Sequence, residues 1–257
     1  MKINRTAKRT IQVLDYISLQ NQGATVAEIA THFDIPKTSI YDIVMALVHE
    51  EVLQVAWNEG KRYQVGIRAF EIGNRFRADL YTIAQNALQA LSNELGRTTF
   101  LAAEDQGSIV YLGKYGPENP IVSTTALGSR KPMYCTALGK AILATYPDEE
   151  VANRIAANPI KVQTEYTVKN IAELTENLHS VRRQGYAFDD REQEVFLQCL
   201  AAPVFNHAGH VLGAVSISFV CKGDEDIPEL GRIIWDTSLG ISQKMGYSGT
   251  GLGEGTA

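Results

Sequence analysis

Four short stretches in the C-terminal two-thirds of the chain hold the residues whose types and spacing could do chemistry. In "PMYCTALGKAIL", residues 132–143, Thr136 is placed to cap a helix. Ala137, Leu138 and Gly139 follow it with almost no side-chain chemistry. Such a turn leaves backbone N–H groups unpaired at the positive end of a helix, which suits an anion. In "HVLGAVSISF", alternation puts Val211, Val215, Ile217 and Phe219 on one face. Leu212, Ala214, Ser216 and Ser218 fall on the other, where two stacked hydroxyls need partners if buried. In "VFLQCLAAPVF", Leu197, Cys199 and Ala201 share a face, so Cys199 is placed to look onto the same hollow. "GYAFDD" offers Asp189 and Asp190 just after a helix stop. Together these predict a small pocket of hydroxyls, a thiol and free amides with apolar walls, matched to a carboxylate or similar oxyanion. An exposed face, or backbone partners for the two serines, stays open as the plainer alternative.

No lysine or arginine of these segments reads as aimed inward, and Lys140 is expected to face solvent or its own helix's neighbours. The expected ligand is therefore small and its affinity modest. The "GK" at Gly139 and Lys140 lacks the Gly-rich lead and the following Ser/Thr of a phosphate loop. A small Cys/Asp-dependent enzyme is the rival class, with Cys199 as nucleophile, Asp189 as acid/base group and His207 and His210 as a metal pair. Cys199 has no histidine at triad spacing and its neighbours are apolar, which blunts a thiol. His207 and His210 sit in a Gly-containing turn, where a polar surface explains them. No enzyme activity, metal or cofactor is expected. A winged-helix scaffold with no small ligand is the third class.

Elements that could position a reading head lie at the front of the chain. Ala7, Ile11, Leu14 and Ile17 form one helical stripe. Thr25 with Glu28 three residues on is a capping box for a second, short helix. A third helix starts at Pro36, with Ile40, Val44, Leu47 and Val48 as its core side. "VLQVAW" and "RYQVG" flank "NEGK", a hairpin with Gly60 in the left-handed position. Helix, helix-turn-helix and hairpin make a winged helix. Lys37, Thr38, Ser39 and Tyr41 sit where a recognition helix reaches bases or phosphates, and Thr25 lies beside them. Arg5, Lys8 and Arg9 in the N-terminal arm, with Lys61 and Arg62 on the wing, would neutralise flanking phosphates.

Charge agrees with that division. Residues 1–68 hold 8 Lys+Arg against 7 Asp+Glu, and the remaining 189 residues hold 16 against 22. The expected domains are 1–68, a winged helix-turn-helix; 69–96, a linker helix; 97–247, an effector-binding domain; and 248–257, a flexible tail. The linker's apolar stripe, Leu80, Ile83, Ala87 and Leu91, suits either a dimer seam or its own body domain. The body, with strand pairs interspersed with helices, reads as α+β. No apolar run approaches the ~20 residues a membrane helix needs, and no signal peptide is expected. Three widely spaced cysteines give no disulfide framework, so a cytoplasmic location is expected.

The sequence resembles the isocitrate lyase regulator (IclR) family of bacterial transcription factors along nearly its whole length. "ATVAEIATHFDIPKTSIYDIVMAL" and "YQVG" look like that family's winged helix. "YCTALGKAILA", "GYAFDD", "CLAAPV" and "GAVSIS" look like its effector-domain motifs, in the family's order. The resemblance implies a GAF-like effector domain with an antiparallel sheet and flanking helices. It also implies dimers or dimers of dimers, and repression of genes through double-stranded operator DNA under control of a keto, sugar or aromatic acid. Carried over by position, Ala137, Leu138, Asp189, Cys199, Ser216 and Ser218 would bind the acid, with Met133 and Leu197 as apolar walls. Two departures stand out. Asp42 occupies a recognition-helix position where the family usually has arginine, so one DNA contact is expected to be lost. Phe196 stands where a glycine is common and Gln198 replaces an arginine, and the aromatic ring is expected to shrink or reshape the pocket.

Overall fold

Local capping chemistry lays out the front of the molecule. The computed structural model describes residues 4–56, 61–74, 78–116, 125–249 and 252. Helix α1 spans Arg5–Ser18, a short strand β1 spans Ala24–Thr25, and helix α2 spans Val26–Phe33. Thr25 accepts from the Glu28 amide at 3.2 Å while the Glu28 carboxylate accepts from the Thr25 amide at 2.8 Å, completing the capping box. Asp34 ends α2 in the left-handed conformation, φ 52°, and turns the chain into α3, Lys37–His49. Strands β2, Leu53–Val55, and β3, Arg62–Val65, pair antiparallel, and β1 adds to the outer side of β3. The expected left-handed Gly60 lies outside the described residues. Helix α4, Ile67–Asn74, follows.

The core of this unit is Val13, Ile17, Ile29, Ile40, Val44, Leu53 and Tyr63, all buried. The stripe expected on α1 is only half correct. Ile17 is buried and Leu14 packs on the core, but Ile11 is 66% exposed and Val13 takes its place. The row that packs on the core runs 13, 14, 17, which obeys the same helical spacing as the expected one.

Residues 79–257 form a second compact unit. Helix α5, Ala78–Leu95, leads into strands β4, Thr98–Asp105, and β5, Ser108–Tyr115. Then come β6, Arg130–Pro132; α6, Ala137–Leu143; α7, Asp148–Ala157; and α8, Ile171–Gln184. The chain closes with β7, Ala187–Asp190; β8, Leu197–Phe205; β9, Val211–Val220; and α9, Ile227–Lys244. The strands form one antiparallel sheet in the order β6-β5-β4-β9-β8-β7. Together with the helix-turn-helix unit this gives the expected α+β class.

Two cores lie on opposite faces of that sheet. On one, Leu80, Ala84, Leu88 and Leu91 of α5 and Leu230, Ile234 and Ile241 of α9 pack against Leu101, Leu200, Val204, Val215 and Ile217. Of the expected α5 stripe, Leu80 and Leu91 are buried in its own body, while Ile83 and Ala87 are half-buried against it. Burying leucines such as Leu80 and Leu88 stabilises this layer by about 2 kcal/mol each. On the other face, α6, α7 and α8 cover Phe100, Ala102, Ile109, Tyr111, Ala201 and Ala214. A bulge in the β8–β9 ladder, between Val204 and Phe205, inverts the parity at the start of β9. Val211 therefore packs on the α6 side and Leu212 on the α5 side, opposite to strict alternation. Among the described residues, no helix is long and apolar enough to cross a membrane.

Candidate functional site: an effector cavity and a DNA-reading surface

A close backbone crossing holds α6 against the sheet. Thr136 caps the helix, accepting from the Gly139 amide at 3.2 Å and donating to the Pro132 carbonyl at 2.9 Å. A Cβ on Gly139 would lie 2.3 Å from Met133 Cα and 2.3 Å from its carbonyl oxygen, so only glycine lets the first turn settle there. With the Gly139 amide committed to Thr136, the Ala137 and Leu138 amides stay at the front of the helix, beside a cavity.

That cavity encloses about 40 Å³, room for about three waters or a carboxylate group. Thr136, Ala137 and Leu138 form one side; Phe100 and Tyr111 supply aromatic surface; Leu197, Cys199, Ser216 and Ser218 come from β8 and β9; Asp189 comes from β7. The β8–β9 register sets Cys199 opposite Ser218 and Ala201 opposite Ser216. Cys199 Sγ lies 3.4 Å from Ser218 Oγ, a weak hydrogen bond. Ser216 is 2% exposed and lines the cavity. A hydroxyl on a cavity wall can pair with an incoming polar ligand.

Asp189 is buried, and its Oδ1 accepts from the Glu192 amide at 2.8 Å. Burial pushes its carboxyl up to about 7; Lys140 and the Glu192 and Gln193 amides offset part of that effect, and the Glu192 carboxylate adds to it. Its neighbour Asp190 points the other way, to Arg191 and to Gln198 at 2.8 Å, and stays below the usual carboxylate range chiefly through Arg191. Burial raises the Cys199 thiol strongly and pushes Cys135 up to about 12, with Asp189 adding to both. Both thiols keep their protons, so neither is a nucleophile at neutral pH.

Several placements correct the sequence expectations. Lys140 does not face solvent: it is fully buried, and its ammonium donates to the Phe188 carbonyl and the Glu192 carboxylate. Met133 lies beneath Gly139 and lines a different hollow, with Arg154, Asn158 and Lys161, not the cavity wall. Phe196 is 48% exposed and leaves the cavity unaltered, because only its backbone is used, accepting from the Cys221 amide at 3.0 Å. His207 and His210 are exposed in the β8–β9 turn, which an Asn206 side chain organises by accepting from the Ala208 and His210 amides. Among the described residues no cluster of three or more His, Cys, Asp or Glu side chains could hold a metal. Sequence reasoning missed Phe100, Tyr111, Thr125, Lys131, Gln193 and Glu194 of the cavity wall. The last four sit in connections or at an edge strand, where no periodicity marks them.

The residues expected to read DNA lie on α3. Lys37, Thr38, Tyr41 and Asp42 are exposed along it, with Ser39 half-buried and Met45 beside Tyr41. Arg5, Lys8 and Arg9 are not in a free arm but in the first turns of α1, all exposed. Cations at a helix N-terminus oppose its dipole, a placement better explained by an external anion than by helix stability. Lys61 is exposed at φ 51°. Arg62 is engaged internally, with Glu28 Oε1 at 3.1 Å, the Gly23 carbonyl at 3.2 Å and the Gln22 carbonyl at 3.3 Å. It fastens the wing to α2 rather than standing free for phosphate.

Comparison with known proteins decides the class. The model of the bacterial transcriptional regulator IclR C-terminal domain matches residues 76–243, and that of the IclR helix-turn-helix domain matches residues 6–55. The chain belongs to the IclR family of bacterial transcriptional regulators. It is 31% identical over 228 residues to the HTH-type transcriptional regulator KdgR of Escherichia coli, covering 86% of each chain. The crystal structure of the Thermotoga maritima IclR superposes with a TM-score of 0.79 at 29% identity, over 94% of this chain and 99% of that one. An IclR homologue from Microbacterium hydrocarbonoxydans, solved in complex with 4-hydroxybenzoate, has a TM-score of 0.83 at 18% identity, over 93% and 98%. As an IclR-family member the protein is a DNA-binding transcriptional regulator, not an enzyme.

Proposed function

We propose that this regulator represses its target genes from double-stranded operator DNA and that a small carboxylate acid, bound in the α6–β9 cavity, controls its grip. The gathering of Ala137, Leu138, Asp189, Cys199, Ser216 and Ser218 around one cavity carries this reading. The acid's carboxylate meets the two serines and the amides, and its body lies against Phe100, Tyr111 and Leu197. A keto, sugar or aromatic acid fits that division. The 4-hydroxybenzoate complex of the Microbacterium homologue supports an acid of this kind.

On the DNA side, Thr25, Lys37, Thr38, Ser39 and Tyr41 read or position on the major groove, while Arg5, Lys8, Arg9 and Lys61 neutralise phosphates. Arg62 keeps the wing in place. The protein works as a dimer or dimer of dimers, because paired recognition helices about one DNA turn apart read a palindrome. Ligand in the cavity bears on β9 and β4, whose other face holds α5; α5 follows α4 and the DNA-reading unit in the chain. A coupling of about 1–3 kcal/mol along this route changes operator occupancy tens-fold.

The test is a thermal-shift and operator-binding screen with pyruvate, gluconate and 4-hydroxybenzoate. A bound acid at a hundred times its Kd adds about 2.7 kcal/mol to folded stability and loosens the operator complex. Replacing Ser216→Ala together with Ser218→Ala removes both effects while operator affinity without acid stays near wild type. A double variant that still responds refutes the pocket. Lys37→Ala is expected to weaken operator binding and reduce the slope of log affinity against log salt by about one; an unchanged slope takes Lys37 off the interface.

A further inference from the structure

A cavity for an anion ordinarily presents a free cation. This one does not. Among its described lining residues the single cation is Lys131, whose Nζ stands 3.9 Å from Glu194 Oε1, itself a lining residue. Lys140 is near but fully engaged by the Phe188 carbonyl and the Glu192 carboxylate. Arg191 is taken by Asp190 at 2.8 Å. The wall therefore holds two carboxyls, Asp189 and Glu194, against one lysine. With both ionised it would repel the carboxylate that its serines are suited to bind.

We propose that Asp189 enters the ligand complex as a neutral carboxylic acid and donates its proton in a hydrogen bond to the carboxylate of the bound acid. The inference rests on the acid-sensing reading above and adds the chemistry by which the anion is tolerated. Geometry leads to it. Asp189 is 3% exposed, has no ion-pair partner among the described residues, and uses its Oδ1 for the Glu192 amide at 2.8 Å. Its carboxyl lines the same cavity as Ser216, Ser218 and Cys199. The charged or titratable groups around its carboxyl are Lys140 from α6, Cys135 ahead of it, Tyr111 and Lys114 from β5, Cys199 from β8, Lys131 from β6, and Glu192 and Glu194 from the loop after β7; Lys114 donates to the Thr125 carbonyl. Lys140 and the Glu192 and Gln193 amides favour the ionised form, while Lys140 and Lys131 each have a glutamate of their own. Two carboxylates sharing one buried site cannot both ionise cheaply, so a proton from solvent comes in with the ligand. The burial-raised titration of Asp189, pushed up to about 7, agrees with this.

The experiment is calorimetric titration of the full-length protein with pyruvate, gluconate and 4-hydroxybenzoate. It is done in two buffers of different ionisation heat, from about pH 6 to about pH 8.5, where all three carboxyls stay ionised. For an acid that binds, the expected result is uptake of close to one proton at about pH 8. Its affinity is expected to fall by up to about tenfold per pH unit above 7 and to level off below about 6. Asp189→Asn, whose amide can accept from Glu192 and still donate to the ligand, is expected to bind with affinity that does not change with pH. Binding to the wild type without proton uptake and without pH dependence overturns the inference while leaving the acid-sensing reading intact. A full wild-type pH slope in Asp189→Asn overturns it as well. Should none of the three acids bind at any pH, the acid-sensing reading and this inference fall together. The wild-type titrations decide the matter even if the variant does not fold.

Discussion

The two faces of strand β9 pack against different surroundings. Val215, Ile217 and Phe219 press into the mainly apolar layer of α5 and α9. One residue out of step, Ala214, Ser216 and Ser218 face α6, where a methyl and two hydroxyls leave a hollow beside Asp189. Both faces are buried. One is packed to stabilise the fold; the other gives up packing to keep a polar space. The same strand thus separates structure from sensing by the pleat alone.

Substitutions on the two faces should separate just as sharply. The largest effect is expected for Ile217→Ala, a fully buried side chain, at about 2–5 kcal/mol of lost stability in denaturant unfolding. A loss under about 1 kcal/mol would mean that this face is not the packed one. Gly139→Ala comes next: its new methyl must displace the Met133 backbone, so about 1–3 kcal/mol of stability is lost along with acid binding. Full acid affinity in that variant would show that the first turn of α6 does not form the site.

Asp189 sharpens the contrast through pH. Its carboxyl goes from the usual 3.8 to about 7 on folding, because burial disfavours the charge. The unfolded chain releases the proton above about pH 4 while the folded chain holds it, so Asp189 costs stability increasingly between about pH 4 and pH 7 and constantly above. Asp189→Asn is therefore expected to melt higher than wild type at about pH 8, with the gain fading toward about pH 4. A difference that is the same at every pH would contradict the buried, neutral acid. The smallest effect belongs to Ser216→Ala with Ser218→Ala, expected to change stability by less than about 1 kcal/mol. A large loss there would recast the serines as structural.

Much of this was legible before any coordinates. Thr25 and Glu28 announced α2, Gly185 stopped α8 at φ 87°, and the alternation of "AVSISF" placed both serines on one face. These signals are local, and local physics fixes them. What escaped depends on distant partners. Lys140 looks like a surface lysine until Glu192, 52 residues on, comes to meet it. Val211 and Leu212 exchange faces through a bulge that leaves no mark in composition. Arg62 reads as a phosphate ligand until Glu28, on another element, claims it. Asp189 was singled out by position, but its burial without a cation could not be read from "GYAFDD".

The most direct measurement is a crystal structure of the protein with whichever of the three acids raises its melting temperature most. The account predicts carboxylate oxygens within hydrogen-bond distance of the Ser216 and Ser218 hydroxyls and the Ala137 or Leu138 amide, with Asp189 at their side. An acid seated instead beside Arg154 and Lys161, with the serine hollow holding only water, would contradict it.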